Sequence, residues 1–284
     1  MNDALTISGL TKTYKDFVLN DVSFSVPSGS IVGLIGENGA GKSTTISAAL
    51  GIVQKEAGFV SILGKEELDN EVKEQIGVVF DGNNFSEILS PKKIGRVMKD
   101  IYQSWDDHIF MALLKKFSLP VCKPIKQFSK GMKMKLAIAV ALSHNSKLLI
   151  LDEATSGLDP VVRDDILDML LDFVQDENHS ILVSSHITSD LEKIADYIVF
   201  LHEGRVVFSK PKDELTEQYG IIKCGAAQFD ALDKSEIIAY RKMDYEWQVL
   251  VADRNKMQKK YPKAMIVPAS IDEIMLLYVK GEVA

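Results

Sequence analysis

The sequence is poor in the residues that form disulfides and metal sites. Its 284 residues contain two cysteines, Cys122 and Cys224, which lie far apart and have no Cys or His nearby at metal-ligand spacing. Isolated thiols of this kind are typical of proteins in a reducing compartment. We therefore expect neither a disulfide framework nor a cysteine metal site, and we interpret both side chains as ordinary core or surface residues.

Basic residues are fewer than acidic residues. The chain has 33 Lys and Arg against 40 Asp and Glu, which gives a formal net charge of −7. Nonspecific binding to nucleic acid depends on a basic surface that neutralises phosphates. The charge balance therefore predicts no nucleic-acid partner.

Long apolar runs are missing as well. LAIAVAL, at residues 136–142, is among the longest, and it falls well short of the roughly 18 apolar residues that a membrane span needs. The first ten residues, MNDALTISGL, lack the basic segment and apolar stretch that mark a protein for secretion. With 46% hydrophobic residues, we expect one substantial globular core, and any membrane crossing must belong to another chain.

The first third of the chain consists mainly of strand patterns. They are LTISGL, DVSFSV, IVGLIG, GFVSILG and IGVVFD. Ser90 and Pro91 then begin an amphipathic helix, and a second helix starts at Asp106 or Asp107 and is ended by Pro120. These two helices form an insert between two groups of strands.

From residue 128 onward, strands and helices alternate. A helix, LLILDE, a helix, SILVSSH, a short helix and the hairpin YIVFLHEGRVVFS follow one another. Alternation of this kind predicts an α/β fold with a parallel sheet covered on both faces. Residues 218–284 carry no chemical motif, and their mixed patterns predict a small α+β appendage.

The strongest motif is GENGAGKST, which follows an apolar strand and precedes the helical ISAALG. In that setting, backbone N–H groups converge on a β-phosphate, and the helix start adds partial positive charge. Lys42 then reaches the β- and γ-phosphates, and the Ser43 hydroxyl binds Mg²⁺. A glycine-rich turn without chemistry is the weaker alternative. The predicted nucleotide-binding loop comprises Gly36, Asn38, Gly39, Ala40, Gly41, Lys42, Ser43 and Thr44.

Two acids end the fully apolar strand in LLILDEAT. Asp152 and Glu153 stand at its C-terminal end, where the ligands of open α/β sheets bind. We predict that Asp152 holds the Mg²⁺ shell. Glu153 is placed to polarise an attacking water or accept its proton, a role worth about 10²- to 10⁴-fold in rate. The alternative is that both acids only terminate the strand and cap a turn.

A second helix start with small residues occurs in FSKGMKMKL. Ser129 and Gly131 open an amphipathic helix, and the absence of bulk lets backbone approach a phosphate closely. Taken alone, the pattern is explained better by a plain serine cap. Its place among the other motifs favours an anion-binding role.

The order of these motifs, followed by SGLD and SSHI, closely resembles that of ATP-binding cassette (ABC) ATPases. The resemblance covers about residues 1–217 and implies ATP and Mg²⁺ as cofactors. It also implies a P-loop NTPase core with an N-terminal antiparallel β subdomain and a helical signature subdomain at about 85–145. Residues 218–284 then form a small C-terminal accessory domain.

The resemblance implies that the chain works as half of a dimer. In ABC ATPases the Ser-x-Gly helix faces the γ-phosphate of an ATP held by the partner, and the subunits pack head to tail around two nucleotides. Ser129 and Gly131 are therefore expected to serve the nucleotide of another subunit. The loop expected to cross between subunits contains Ser156, Gly157 and Asp159.

The resemblance implies functional roles for two residues whose own patterns indicate only structural ones. A lone His after a strand is more often structural, but His186 matches the residue that contacts the γ-phosphate. Tyr14, in TKTYKDF, matches the aromatic on which adenine stacks, although packing alone could explain it. The predicted catalytic set is Lys42, Glu153 and His186.

Two features depart from the common family pattern. Asp81 ends the IGVVF strand, where the family usually has Gln, or in some exporters an acid. We place Asp81 with Ser43 and Asp152 in the metal set, although its shorter side chain leaves direct Mg²⁺ coordination open. In the signature, Lys130 and Met132 replace the commoner Gly and Gln, as in exporter ATPases that have a separate membrane permease.

The resemblance implies a transport motor. We expect an ATP-hydrolysing subunit, held at the cytoplasmic face of the membrane by an integral membrane permease, that exports peptides, antibiotics or other amphipathic compounds. Its partner ATPase is a second copy or a paralogue. The alternatives are a soluble ABC ATPase without a transport role and an ATP-gated regulatory or immunity module.

Overall fold

The computed structural model describes residues 3–82 and 84–282. The strands are β1 (Asp3–Thr13), β2 (Val18–Pro27), β3 (Ile31–Ile35), β4 (Ala57–Ile62), β5 (Ile76–Val79), β6 (Leu148–Asp152), β7 (Ser180–Ser185), β8 (Tyr197–His202), β9 (Arg205–Pro211), β10 (Gly220–Cys224), β11 (Ile237–Lys242), β12 (Trp247–Val251) and β13 (Met265–Pro268). The helices are α1 (Lys42–Ala49), α2 (Asn70–Glu74), α3 (Pro91–Ile101), α4 (Asp107–Lys116), α5 (Lys130–Ala141), α6 (Pro160–Phe173), α7 (Thr188–Ile194), α8 (Ala226–Asp230), α9 (Arg254–Lys260) and α10 (Ile271–Lys280). Short 3-10 or π turns lie at Ile125–Gln127, Leu142–His144, Glu214–Gln218 and Lys234–Glu236.

A six-stranded sheet forms the centre, in the order β5-β6-β7-β3-β8-β9. Its first five strands are parallel, and β9 pairs antiparallel with β8 through the predicted hairpin. Every residue of β3, β6 and β7 is buried, because helices or a second sheet cover both faces. Leu149 and Leu151 belong to one hydrophobic cluster, and Leu148 and Ile150 belong to another. The predicted α/β core with its parallel sheet is confirmed.

The second sheet is antiparallel and contains β2, β1 and β4 in that order. The alternation in DVSFSV places Val22, Phe24 and Val26 in the core while Asp21 and Ser23 are exposed. Those apolar residues share a cluster with α1 and one face of the central sheet. This is the antiparallel N-terminal unit that the family resemblance implied.

The helical insert follows β5. Helix α3 begins at Pro91, as predicted, and α4 begins at Asp107 after Asp106, whose carboxylate accepts hydrogen bonds from two backbone N–H groups. Helix α4 ends before the predicted stop at Pro120, because Ser118 adopts a left-handed backbone (φ 54°) and terminates it. No helix in the described ranges 3–82 and 84–282 is long and apolar enough to cross a membrane.

The C-terminal residues form a four-stranded antiparallel sheet in the order β11-β12-β10-β13. One face, with Ile222 and Val249, packs with α8 and α9 in a cluster of its own. The opposite face, with Ile221 and Leu250, joins the large central cluster together with α10. Cys224 is buried here, and Cys122 is exposed. The C-terminal unit therefore packs directly against the rest of the chain.

Candidate functional site

The loop between β3 and α1 carries the predicted phosphate-binding motif. Gly41, directly before α1, has a left-handed backbone (φ 109°), which glycine adopts at little cost. A Cβ atom on Gly36 would lie 2.3 Å from the carbonyl oxygen of Leu201. Only glycine therefore fits at Gly36, where the loop passes close to β8.

Lys42, the first residue of α1, is 5% exposed. Its Nζ donates to the carbonyl oxygens of Gly36, at 2.8 Å, and Glu37, at 3.3 Å. The same Nζ lies 3.2 Å from Oε1 of Glu153. A buried ammonium is unfavourable unless it has such acceptors. The phosphate loop and the acid after β6 are thus joined through one cation.

Strand β6 delivers the two acids to the same place. Asp152 accepts a 2.5 Å hydrogen bond from the hydroxyl of Ser184 on β7, the residue with which it pairs in register. The backbone N–H of Glu153 donates to Oγ of Ser184 at 3.1 Å. Glu153 has a left-handed backbone (φ 54°), a strained conformation for a residue with a side chain and one that is common at functional sites. This backbone holds Glu153 beside the phosphate loop.

The sequence did not identify Ser184 as a site residue. A serine in an apolar strand gives no chemical signal by itself, and its importance depends on the parallel register between β6 and β7. Its neighbour two positions on, His186, was predicted. His186 Nδ1 lies 2.6 Å from Oε2 of Glu153. The Glu153 carboxylate is therefore held between Lys42 on one oxygen and His186 on the other.

A cavity of about 620 Å³ opens over the phosphate loop. Tyr14 lines one side, and Lys12 Nζ lies 5.6 Å from the centre of the Tyr14 ring. Phe17 also lines the cavity, and a Cβ on Gly41 would lie 2.8 Å from its ring. The aromatic wall and the loop enclose a space that fits a nucleotide. The cavity is lined by Tyr14, Asp16, Phe17, Glu37, Asn38, Gly39, Gly41, Lys42, Ser43, Thr44 and Glu153.

Ser129 and Gly131 do not line this cavity. Ser129 is exposed and caps α5, because its hydroxyl accepts a hydrogen bond from the N–H of Met132 at 3.2 Å. Gly131 is buried against α6, and a Cβ there would lie 3.0 Å from the side chain of Val162. The structure thus separates the signature residues from the phosphate loop of the same chain.

The loop 156–159 also lies outside the cavity. Asp159 caps α6 by accepting a hydrogen bond from the N–H of Val162 at 3.0 Å. Gly157 has a left-handed backbone (φ 67°), and a Cβ on it would lie 3.3 Å from Nζ of Lys130. The loop and the signature helix are therefore neighbours on one surface.

Asp81 lies beside the signature helix. Its Oδ1 is 3.4 Å from Nζ of Lys130, and both side chains are about half exposed. Asp81 is not among the residues that line the cavity with Ser43. In the described part of the chain, no group of three or more Asp, Glu, His or Cys residues could hold a metal ion. Ser43 lines the cavity, whereas Asp152, buried at the end of β6, is not among the lining residues. Their role as Mg²⁺ ligands stays a prediction.

A slightly larger cavity, of 680 Å³, lies elsewhere. It is lined by residues from α2 and from the segment after α3, including Glu74, Tyr102 and Ser104. None of the predicted site residues borders it. His144 is buried, and its ring stacks on that of Tyr102 with centroids 3.9 Å apart. This packing fits a structural role for His144. The smaller cavity is therefore the candidate site.

Comparison with known proteins agrees with this geometry. Residues 19–156 match the family model described as ABC transporter. The lantibiotic transport ATP-binding protein SrtF of Streptococcus pyogenes is 37% identical over 215 residues, which cover 74% of this chain and 91% of that protein. The bacitracin transport ATP-binding protein BcrA of Bacillus licheniformis is 31% identical over 223 residues, which cover 77% of this chain and 73% of that protein.

Solved structures share the fold. The ATP-binding subunit of an ABC transporter superimposes with a TM-score of 0.66 at 30% identity, covering 75% of this chain and 91% of that chain. A dimeric cassette, MJ0796 bound to ADP and phosphate, superimposes with a TM-score of 0.65 at 23% identity, covering 73% of this chain and 98% of that chain. The chain is therefore an ATP-binding, ATP-hydrolysing subunit of the ABC transporter family.

Proposed function

We propose that the chain is the motor of an exporter for peptide antibiotics or similar amphipathic compounds, and that it drives a separate membrane permease. The observation that carries the catalytic part is the position of Glu153 between Lys42 and His186 at the phosphate loop. The names of the lantibiotic and bacitracin transport relatives support the cargo class.

The donors at the site fit a magnesium ion. Mg²⁺ takes hard oxygen ligands and retains several waters. The hydroxyl of Ser43 and the Asp152 carboxylate, of which Ser184 occupies one oxygen, supply such ligands at the loop and at the end of β6. Bound Mg²⁺ would neutralise charge on the β- and γ-phosphates. The place of Asp81 in the metal set stays a prediction: its carboxylate pairs with Lys130 and, like that of Asp152, is not among the groups that line the cavity.

Different residues of the chain then bind ATP and promote its hydrolysis. Tyr14 offers a ring for adenine, and the backbone N–H groups of the loop bind phosphate. Lys42 exchanges its carbonyl acceptors for phosphate oxygens. Glu153 takes a proton from the attacking water or polarises it. His186 holds the second carboxylate oxygen of Glu153 and, by the family resemblance, would contact the γ-phosphate.

Head-to-tail pairing completes the site. Ser129 is exposed at the start of α5 and lies outside the cavity of its own chain. Its hydroxyl oxygen accepts from the N–H of Met132, and its O–H group can still donate to a nucleotide on a second subunit. The dimeric cassette MJ0796 offers a precedent for two such subunits in one assembly. The second subunit is another copy or a paralogue. The permease would hold the pair at the cytoplasmic face of the membrane.

Hydrolysis by the purified chain tests the dimer. We expect Mg²⁺-dependent ATP hydrolysis whose specific rate increases with protein concentration, because each active site needs residues from two subunits. The rate is measured over a range of protein concentrations at saturating ATP, with EDTA as the control. A specific rate that does not change with concentration while the protein stays monomeric would contradict the shared site. Absence of turnover with tight ATP binding would favour the alternative, an ATP-gated regulatory module.

Replacing Asp81 tests its link to the signature helix. We expect Asp81→Gln to keep ATP affinity within about twofold, because the residue lies outside the cavity, and to change unfolding free energy by less than about 1 kcal/mol, as for other exposed ion pairs. We expect it to change the permease-stimulated hydrolysis rate. Lys130→Gln removes the basic member of the same ion pair and serves as the matched variant. Equal stimulated rates in the wild type and Asp81→Gln would remove this role.

A further inference from the structure

The start of α7 follows the predicted catalytic histidine directly. Strand β7 ends at Ser185, and α7 begins at Thr188. The hydroxyl of Ser185 accepts a 2.9 Å hydrogen bond from the N–H of Ile187, which tightens the turn. The turn that carries His186 therefore leads directly into the first turn of α7.

The C-terminal helix α10 contacts that first turn. Thr188 is 3% exposed. Its hydroxyl donates a 2.6 Å hydrogen bond to Oδ1 of Asp272. In return, Oε1 of Glu192 on α7 accepts a 2.9 Å hydrogen bond from the N–H of Ile271, at the start of α10. We call these four residues, Thr188, Glu192, Ile271 and Asp272, the helix clasp. Each helix thereby contributes one acceptor to the start of the other.

The clasp has a rigid base. Ser270 caps α10, and Glu273 accepts a hydrogen bond from the N–H of Ser270 in a capping box. Ile271 and Ile274 are fully buried in the central cluster, in which Leu191 of α7 also lies. A helix that is capped and buried in this way cannot shift without loss of apolar contacts. Helix α10 is thus a fixed support and not a loose tail.

The far end of α10 is anchored on the central sheet. The ring of Tyr278 lies 5.5 Å from that of Phe208 on β9 and 6.3 Å from that of Phe200 on β8, measured between centroids. Burial there raises the pKa of Tyr278 to about 12. Strand β8 pairs with β3, the strand that leads into the phosphate loop. Helix α10 therefore spans from the sheet under the phosphate loop to the turn that carries His186.

We propose that α10 positions His186: through the helix clasp it fixes the first turn of α7, and with it the imidazole against Glu153. This inference rests on the proposed role of His186 in hydrolysis. Thr188 and Asp272 are then positioning residues, since they act on the reaction through His186. The C-terminal unit becomes part of the catalytic apparatus, although none of its residues up to 282 lines the nucleotide cavity.

Two variants break the clasp from opposite sides. Thr188→Val removes the hydroxyl at nearly constant volume, and Asp272→Ala removes the acceptor at an exposed position. We expect each to lower kcat for ATP about tenfold, because small displacements of a catalytic group are costly, and to leave KM for ATP within about twofold. Thr188→Ser retains the hydroxyl donor, and Asp272→Asn retains an oxygen acceptor. We expect both of these conservative variants to have a kcat close to that of the wild type.

A control separates positioning from loss of stability. Lys260→Met breaks ion pairs to Asp233 and Glu236 within the C-terminal unit, and none of these three residues belongs to the clasp. We expect it to keep the wild-type kcat. Wild-type kcat in both folded Thr188→Val and Asp272→Ala would overturn the proposal. Equal losses in all three variants, with equally lowered Tm, would also overturn it and leave α10 a purely structural element.

A second readout does not depend on hydrolysis. In NMR spectra of the full chain with labelled histidine, we expect the His186 ring signals to move in Thr188→Val and Asp272→Ala, and to keep their wild-type positions in Lys260→Met. Unmoved signals in the first two variants would overturn the clasp. If the wild type itself hydrolysed no ATP while the signals moved as expected, the proposed function would fail and the clasp would stand.

Discussion

Glu153→Gln is expected to lower ATP hydrolysis by about 10²- to 10⁴-fold while ATP still binds. Gln has nearly the same shape as Glu but cannot accept a proton from water. The substitution leaves the cavity unchanged, so the predicted contacts with phosphate and adenine remain. ATP bound without turnover should then hold two subunits together, and the mass in solution should change from monomer to dimer only with ATP and Mg²⁺. Light scattering with and without nucleotide measures this change.

A matched variant shows whether the effect belongs to the site. Glu214→Gln makes the same chemical change where the carboxylate pairs with Lys210, outside the nucleotide cavity. We expect wild-type hydrolysis and no trapped dimer. If Glu153→Gln bound ATP but remained monomeric with saturating ATP and Mg²⁺, the homodimer would be contradicted, and an obligate paralogue or a permease-dependent pair would replace it. If Glu153→Gln still turned over ATP near the wild-type rate, Glu153 would not be the catalytic acid–base group.

Much of the catalytic centre could be predicted from sequence because its signals are local. The apolar run of β6 is buried throughout and ends at Asp152, and the turn into α1 needs glycine at Gly36. In each case the site residue and the strand or turn that positions it are adjacent in the chain. A short sequence pattern is therefore enough to predict both. The loop, the acid pair and His186 were all placed at the ends of the correct strands in this way.

Features that depend on contacts between distant segments escaped prediction. Ser184 matters through its register with Asp152, and the clasp joins Thr188 to Asp272, 84 positions away. The sequence of β11, IIAYRK, is short and ends in charged residues, so its own pattern gives little indication of a strand. The pairing of Asp81 with Lys130 joins the loop after β5 to the signature helix. Sequence pattern alone gives no register or docking geometry for such pairs.

Lys42→Met is expected to weaken ATP binding by about 10- to 100-fold, because a charged hydrogen bond contributes about 1.5–3 kcal/mol. The ammonium lies at the loop with three oxygen atoms around it, from Gly36, Glu37 and Glu153, and a phosphate would compete for the same donors. Met keeps the length and apolar stem of the side chain. Titration with a fluorescent ATP analogue measures the affinity. Lys116→Met, which breaks an exposed pair with Asp172, is the matched control and should bind ATP normally.

The stability of Lys42→Met separates the two functions of the cation. Without Lys42, the carboxylate of Glu153 is still largely buried but, among the residues that the structure describes, keeps only His186 as a partner at hydrogen-bond distance. Removal of one member of a buried ion pair is destabilising. We expect a loss of about 1–3 kcal/mol in unfolding free energy, which Glu153→Gln should partly restore in the double variant because the uncompensated charge is gone. Denaturant unfolding of the two single variants and the double variant gives the coupling energy. Strictly additive losses would show that Lys42 and Glu153 do not interact in solution, and the joining of the phosphate loop to the catalytic acid would then require bound nucleotide.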